Sequence, residues 1–261
     1  MEAIRAVCFF DLDGTLLNAK SEIDPEITEA IRQLKKNHVL PVICTGRSLA
    51  EIHDIMRHSE IETAITLNGQ YISDGDTEIY NHSMDKEIIR RLIHFSQQYH
   101  NPIAFYNSET IRLNEEDETV RQCYHYLYDD APIPAIDPDY YKQHEVQMML
   151  VFRNADEIDN QYRNAFPELE FYRNGPQNMD VVSRGQSKGN GIRILLEYLD
   201  LQDIPTYGFG DGTNDFAMFE KVQYPIAMGN AVEALKEQAI YITTANTDHG
   251  IVKALKHFDL I

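Results

Sequence analysis

The chain of 261 residues has few cysteines, and their placement limits its class. Only three are present, Cys8, Cys44 and Cys123, and an odd number of widely spaced cysteines excludes a disulfide framework. The first two lie inside apolar runs, which is typical of buried and reduced thiols. We therefore expect a cytoplasmic protein.

Long apolar runs are also missing. No segment approaches the ~20 apolar residues that a membrane-spanning helix needs. The short apolar stretch near the start runs directly into Asp11 and Asp13, so it lacks the apolar centre of a signal peptide. We expect no membrane partner.

Basic residues are outnumbered, with 23 Lys and Arg against 42 Asp and Glu, for a formal net charge of −19. This charge disfavours binding to nucleic acid phosphates or to an anionic bilayer. An anionic small ligand would need a local positive pocket. With 43% hydrophobic and 25% charged residues, the composition is that of an ordinary globular protein and excludes wholesale disorder.

The order of apolar segments predicts an α/β fold. Continuous apolar runs at Ile4–Phe10 and Val39–Cys44 indicate buried strands, and a third strand is predicted at Ala64–Leu67. Helical patterns begin at Pro25 and after Ser48, between these strands. Such alternation predicts a doubly wound parallel sheet, in which ligands bind beyond the carboxyl ends of the strands.

The strand–helix alternation is interrupted in the middle of the chain. From about Met84 to Val182 we predict short strands and helices, including a helix at Glu118–Tyr128, that form an inserted α+β domain with its own sheet. The strand–helix alternation then resumes. We therefore predict a discontinuous core of residues 1–83 and 184–261, and an inserted domain of residues 84–183.

Carboxylates follow the first strand. Asp11 and Asp13 are separated by one residue and precede Gly14, and such a pair suits a hard cation such as Mg²⁺. A calcium loop of the EF-hand type would need glycine at the sixth position from Asp11, where Leu16 stands. On this segment alone, a solvated turn with a capping aspartate is almost as good an interpretation.

Three further loops favour a functional site over a solvated turn. Asp211 and Asp215 follow the predicted strand at Thr206–Phe209, and the CTGR segment offers the Thr45 hydroxyl and a backbone amide beside a helix start. Lys188 opens another helix and is a potential fixed cation. Taken singly, Thr45 and Lys188 have ordinary structural interpretations. Together the loops supply metal-binding carboxylates, an anion cradle and a cation, as phosphoryl transfer requires.

The segments FFDLDGTLL, CTGR, Lys188 and GDGTND resemble, in order and spacing, the four motifs of the haloacid dehalogenase superfamily. More narrowly, the chain resembles Cof-type phosphatases with a type IIB cap, over essentially its whole length. This resemblance implies a Rossmann-like core with an inserted α+β cap that contacts the leaving group. It also implies Mg²⁺-dependent hydrolysis of small phosphomonoesters, such as sugar phosphates or phosphorylated cofactors including pyridoxal phosphate.

The resemblance further implies a role for each motif residue. Asp11 would be the nucleophile that forms an aspartyl phosphate, and Asp13 the general acid and base. The Asp11 side chain, the Asp13 backbone carbonyl and Asp211 would hold Mg²⁺, while Asp215 would orient ligands or Lys188. The phosphoryl oxygens would be bound by the Leu12 backbone, Thr45, the Gly46 amide, Lys188 and Asn214.

Other interpretations stay open. Arg47, the loop Asn68-Gly69-Gln70, Asp180 and Arg184 are candidate substrate contacts, each of which has an equally good structural explanation; Asn68-Gly69 in particular is a hairpin signal. Spacing alone does not separate a nucleophilic Asp11 from a water-activating base. A phosphomutase of the phosphomannomutase type and a non-catalytic sensor of phosphorylated metabolites are the alternative functions. No pattern indicates an oligomeric state.

Overall fold

The computed structural model describes residues 3–127, 132–154 and 158–261. They form two compact units, one from the chain up to Tyr80 together with Ser187–Ile261, and the other from Asn81–Gln186. The second unit starts three residues before the predicted insertion and ends three residues after it. No helix among the described residues is long and apolar enough to cross a membrane.

The elements are numbered in chain order. The strands are β1 Ala6–Phe10, β2 Val39–Cys44, β3 Thr63–Thr66, β4 Tyr71–Asp74, β5 Thr77–Asn81, β6 Ile103–Tyr106, β7 Ile111–Leu113, β8 Met148–Phe152, β9 Leu169–Gly175, β10 Asn178–Ser183, β11 Thr206–Gly210, β12 Tyr224–Ala227 and β13 Tyr241–Ile242. The helices are α1 Pro25–Lys36, α2 Leu49–Ser59, α3 Lys86–Gln98, α4 Glu118–Leu127, α5 Tyr140–Gln143, α6 Ile158–Ala165, α7 Lys188–Leu199, α8 Phe216–Phe219, α9 Glu233–Lys236 and α10 Gly250–His257.

The first unit is built on an eight-stranded sheet of order β13-β12-β11-β1-β2-β3-β4-β5. The strands from β13 to β3 run parallel to one another. Side chains alternate between two apolar clusters: Phe10 packs with residues of α1, α2 and α10, whereas Phe9 packs with residues of α7, α8 and α9. Helices therefore cover both faces, which confirms the predicted doubly wound sheet.

One edge of this sheet departs from the parallel pattern. Strand β4 pairs with β3 in the antiparallel direction, with Thr66 opposite Tyr71. The reversal takes place at Asn68 and Gly69, which both have positive φ, 52° and 93°. The hairpin turn that this dipeptide favours is therefore present, and it directs the chain back along the sheet edge before the second unit begins.

The second unit has a five-stranded sheet of order β7-β6-β8-β10-β9, in which all neighbours are antiparallel. Helices α3 and α6 pack on it through a cluster that includes Leu92, Tyr162 and Met149. This is an α+β arrangement. Helix α4 is described up to Leu127; Tyr128, with which we predicted it to end, lies outside the described residues.

Candidate active site

The carboxyl ends of three central strands lie side by side. Phe10, the last residue of β1, is opposite Ile43 of β2 and Phe209 of β11, and the Asp11 amide donates to the Phe209 carbonyl at 3.0 Å. The loops that follow these strands consequently meet at one edge of the sheet. This is the edge at which the sequence predicts ligand binding.

Three carboxylates converge there. Asp11, Asp211 and Asp215 each place one oxygen within 4.8 Å of the others. Asp215 is fully buried and Asp11 is 6% exposed. Buried carboxylates at such distances repel one another unless cations compensate for their charge.

Lys188 supplies one of these cations. It is the first residue of α7, its side chain is fully buried, and its Nζ donates to Asp11 Oδ1 at 2.5 Å and to Asp215 Oδ1 at 2.7 Å. The preceding residue, Ser187, caps the helix by accepting from the Asn190 amide. The helix start thus fixes the lysine between the loops that follow β1 and β11.

Burial and neighbouring charges shift the pKa values of Lys188, Asp11 and Asp211. Burial lowers the pKa of Lys188, but the charges of Asp11 and Asp215 more than offset that effect and raise it above the ordinary lysine value. Burial raises the pKa of Asp11 well above its usual range despite the attraction of Lys188. Burial, followed by the charge of Asp215, raises the pKa of Asp211 to about 6.

The Asp215 side chain stabilises the loop that follows β11. Its Oδ2 accepts from the backbone amides of Asp211 at 2.9 Å and Gly212 at 3.0 Å, while its Oδ1 accepts from Lys188. Both oxygens therefore serve to hold Lys188 and the Asp211 backbone in place. Asp11 and Asp211 are the better candidates for direct contact with a cation.

The donor set suits Mg²⁺. When all are ionised, three carboxylates and one ammonium leave a net charge of −2 (−3 + 1) in a cluster of which only Asp211 is half-exposed, and a divalent cation balances that charge. The donors are hard carboxylate oxygens, which Mg²⁺ prefers over nitrogen or sulfur ligands. The residues present therefore fit the metal that the resemblance implies.

The turn after β1 brings Asp211 into close contact with the backbone. Asp13 (φ −74°, ψ 118°) and Gly14 (φ 77°, ψ 0°) have the angles of a type II turn. A Cβ at Gly14 would lie 2.3 Å from Asp211 Oδ2, so only glycine fits. The Thr15 hydroxyl donates to Asp211 Oδ1 at 3.2 Å.

The Asp13 carboxylate lies outside the three-carboxylate cluster. Its side chain is 57% exposed and forms an ion pair with Arg47, whose Nε donates to Asp13 Oδ2 at 2.8 Å. The metal contact predicted for Asp13 involves its backbone carbonyl, not this carboxylate. The ion pair was not predicted from the sequence, which left Arg47 only as a candidate substrate contact.

The predicted phosphate-binding residues lie around the same edge. Thr45 is buried, and its hydroxyl accepts from the Arg47 amide at 3.1 Å; Gly46 follows it and is half-buried. Asn214 donates to Asn68 Oδ1 at 3.1 Å. The Leu12 side chain belongs to the apolar core, so only its backbone is available to a ligand.

Two candidate contacts lie in the second unit. Asp180 is buried on β10, and Arg184 forms an exposed ion pair with Glu170.

Sequence reasoning missed Asn230. This residue follows β12, and its amide donates to the Gly14 carbonyl at 2.8 Å. The available signal was its place three residues after a strand of the parallel sheet.

Comparison with known proteins identifies the family. Residues 8–255 match the model of the haloacid dehalogenase-like hydrolase family. The chain is 32% identical to the putative phosphatase YkrA of Bacillus subtilis, over 97% of each chain. It is 28% identical to the 5-amino-6-(5-phospho-D-ribitylamino)uracil phosphatase YcsE of the same organism, over 96% of this chain and 94% of YcsE.

A solved structure gives the same result. The sugar phosphatase BT4131, of subclass IIB of the superfamily, superposes with a TM-score of 0.86 at 28% identity and covers 98% of this chain and 100% of its own. The match to the family model spans far more than half of the chain. The chain therefore belongs to the haloacid dehalogenase-like hydrolase family, as its four motifs predict, and is an enzyme of that family.

Proposed function

We propose that this enzyme is a magnesium-dependent phosphatase that hydrolyses small phosphomonoesters through an aspartyl phosphate on Asp11. The observation that carries the proposal is the position of Lys188, whose buried ammonium bridges Asp11 and Asp215 beside Asp211. An anionic nucleophile repels an anionic phosphate unless cations stand next to it. The arrangement provides one cation and the ligands for another.

In this proposal the chain's own residues carry the reaction. Asp11 attacks phosphorus as the bond to the leaving oxygen breaks, and Asp13 donates a proton to that oxygen. Asp13 then takes a proton from the water that attacks the aspartyl phosphate and releases inorganic phosphate. Mg²⁺, held by the Asp11 side chain, the Asp13 carbonyl and Asp211, would supply positive charge to the phosphoryl oxygens.

The same proposal assigns the phosphate-binding residues. Lys188 contributes a fixed ammonium, and the Thr45 hydroxyl, the amides of Leu12 and Gly46 and the Asn214 side chain contribute neutral donors. The Thr45–Gly46 segment immediately precedes α2, and the start of a helix favours an anion. We propose that residues 84–183 form the cap that selects the leaving group.

Relatives guide the choice of substrate class. The names of YcsE and BT4131 specify a phosphorylated ribitylamino-uracil and a sugar phosphate respectively. We propose substrates of this kind for the present chain, namely sugar phosphates or phosphorylated cofactors such as pyridoxal phosphate. We propose a cytoplasmic location, because all three cysteines are buried and unbridged.

Two alternatives are tested by the same assay. A phosphomutase would return the phosphoryl group to a bound sugar rather than to water, and a sensor would bind phosphorylated metabolites without turnover. The combination of a candidate nucleophile, Asp11, and a candidate acid, Asp13, favours catalysis, because a binding protein needs neither.

The test is inorganic phosphate release from sugar phosphates, nucleotides and pyridoxal phosphate, with Mg²⁺ and with excess chelator. We expect release that requires the metal and that is absent in Asp11→Asn. Absence of release from every compound would contradict the proposed phosphatase and favour the mutase or the sensor. Full activity in excess chelator would contradict the metal site.

A further inference from the structure

Two asparagines outside the four motifs contact the turn that carries Asp11 and Asp13. Asn230, after β12, donates from Nδ2 to the Gly14 carbonyl at 2.8 Å and lies 3.4 Å from Asp211 Oδ2. Asn246, after β13, donates from Nδ2 to the Leu17 carbonyl at 2.8 Å.

The two asparagines are also joined to each other. The backbone amide of Asn246 donates to Asn230 Oδ1 at 3.1 Å. Since Asn230 uses its oxygen toward Asn246 and its nitrogen toward Gly14, its side-chain amide has a fixed orientation. The carbonyls of Gly14 and Leu17 are thereby tied to loops that follow two more strands of the same parallel sheet.

This connection sets the geometry of Asp211. Its Oδ1 accepts from the Thr15 hydroxyl and its Oδ2 faces the Asn230 amide, so donors on two different loops orient the carboxylate. Both donors are neutral. A lysine or arginine at position 230 would also orient Asp211, but its charge would oppose the divalent cation that the cluster otherwise attracts.

We infer that Asn230 and Asn246 are positioning residues that hold the Asp11–Leu17 turn against Asp211 and so set the affinity of the site for Mg²⁺. This inference rests on the metal site of the proposed function. Asn230 is solvent-exposed, and its replacement by alanine leaves no buried cavity. The effect of that replacement should therefore fall on metal binding rather than on folding.

The test is calorimetric titration of Mg²⁺ into metal-free wild type, Asn230→Ala and Asn246→Ala. We expect the dissociation constant to rise about 10-fold or more in Asn230→Ala, the usual effect of losing a group that orients a metal ligand, and to rise less in Asn246→Ala. Asn160→Ala, an exposed asparagine of α6, is the matched control and should bind as wild type does.

Wild-type affinity in both Asn230→Ala and Asn246→Ala would overturn the inference. Thermal unfolding without Mg²⁺ separates positioning from folding, because a positioning role leaves Tm near that of wild type. If Asn230→Ala does not fold, the Mg²⁺ affinity of Asn246→Ala alone tests the inference. Wild type that binds Mg²⁺ but releases no phosphate would overturn the phosphatase alone, whereas wild type that binds no Mg²⁺ would overturn both the inference and the proposed metal site.

Discussion

Arg47 holds both carboxylate oxygens of Asp13, through Nε to Oδ2 at 2.8 Å and Nη2 to Oδ1 at 2.5 Å. The two residues belong to the loops after β2 and β1, so the ion pair joins the predicted anion cradle to the predicted acid. Because the Asp13 side chain is 57% exposed, the pair contributes at most about 1 kcal/mol to stability. The pair fixes the Asp13 carboxylate against the loop that follows β2.

Asp13→Asn removes the proposed general acid, so the loss of catalysis should depend on the leaving group. For an alkyl phosphate such as a sugar phosphate, we expect kcat/KM to fall by about 10²–10⁴-fold, the usual contribution of a general acid. For p-nitrophenyl phosphate, whose leaving group departs as a stabilised anion, formation of the aspartyl phosphate should be much less affected. Single-turnover rates on both substrates make the comparison, and equal losses would contradict the acid role.

Lys188→Met should destabilise the metal-free protein. The change leaves Asp11 and Asp215 buried without their shared cation, and breaking a buried ion pair in this way costs roughly 3–5 kcal/mol. Denaturant unfolding measures the loss. The double variant Lys188→Met with Asp11→Asn is the matched control and should recover part of it. A single variant as stable as wild type would contradict the electrostatic account of this cluster.

The stabilisation by Mg²⁺ should depend on pH through Asp211. Its pKa in the folded, metal-free protein is about 6, above the usual aspartate value, so the folded state binds the proton more tightly than the unfolded state. The free energy of unfolding without metal therefore falls as pH rises from the ordinary aspartate pKa to about 6. Above about pH 6 the whole cost of ionising Asp211 in the folded protein is present. Mg²⁺ requires the ionised carboxylate and relieves this penalty.

We accordingly expect Mg²⁺ to raise Tm more at about pH 7.5 than at about pH 5. Asp211→Asn is the control, and its Tm should respond weakly to Mg²⁺ at both values. An equal Tm increase at the two pH values in wild type would show that Asp211 is not the group that competes for the proton.

Gly14→Ala should abolish tight Mg²⁺ binding. The new Cβ would lie 2.3 Å from Asp211 Oδ2 in a backbone with φ of 77°, so the turn or the carboxylate must move. Gly75→Ala is a matched control, because Gly75 also has positive φ, 53°, but nothing lies within 4 Å of its Cβ position. Both variants incur the cost of left-handed backbone, about 1–2 kcal/mol, and only Gly14→Ala should weaken Mg²⁺ binding. Similar Mg²⁺ affinities in the two would contradict the proposed contact.

The position of much of the candidate site could be predicted because it depends on strand ends. The apolar runs ending at Phe10 and Cys44 mark buried strands, and in a parallel sheet the residues just after such strands share one edge. Asp11, Thr45 and Asp211 were located in this way. Strands buried on both faces appear in the sequence as continuous apolar runs, so the predicted bounds of the core strands were close to those observed.

What the sequence did not reveal depends on side-chain geometry. The Arg47–Asp13 pair joins residues 34 positions apart, and nothing in their spacing indicates that a guanidinium meets this carboxylate. Asn230 and Asn246 carry no charge and lie in loops of ordinary composition. The antiparallel strand β4 was not predicted, although the hairpin signal before it was noted, because its four residues are too few for periodicity to mark a strand clearly.

The most direct test of the central claim is to trap the phosphoryl group on Asp11. A single turnover with a substrate labelled in its phosphoryl group is quenched in acid, and the labelled peptide is identified by mass spectrometry. We expect label on the peptide containing Asp11 in wild type, more of it in Asp13→Asn with p-nitrophenyl phosphate, and none in Asp11→Asn. Rapid release of phosphate with no protein-bound label at any time, in wild type and in Asp13→Asn, would contradict the nucleophilic role of Asp11.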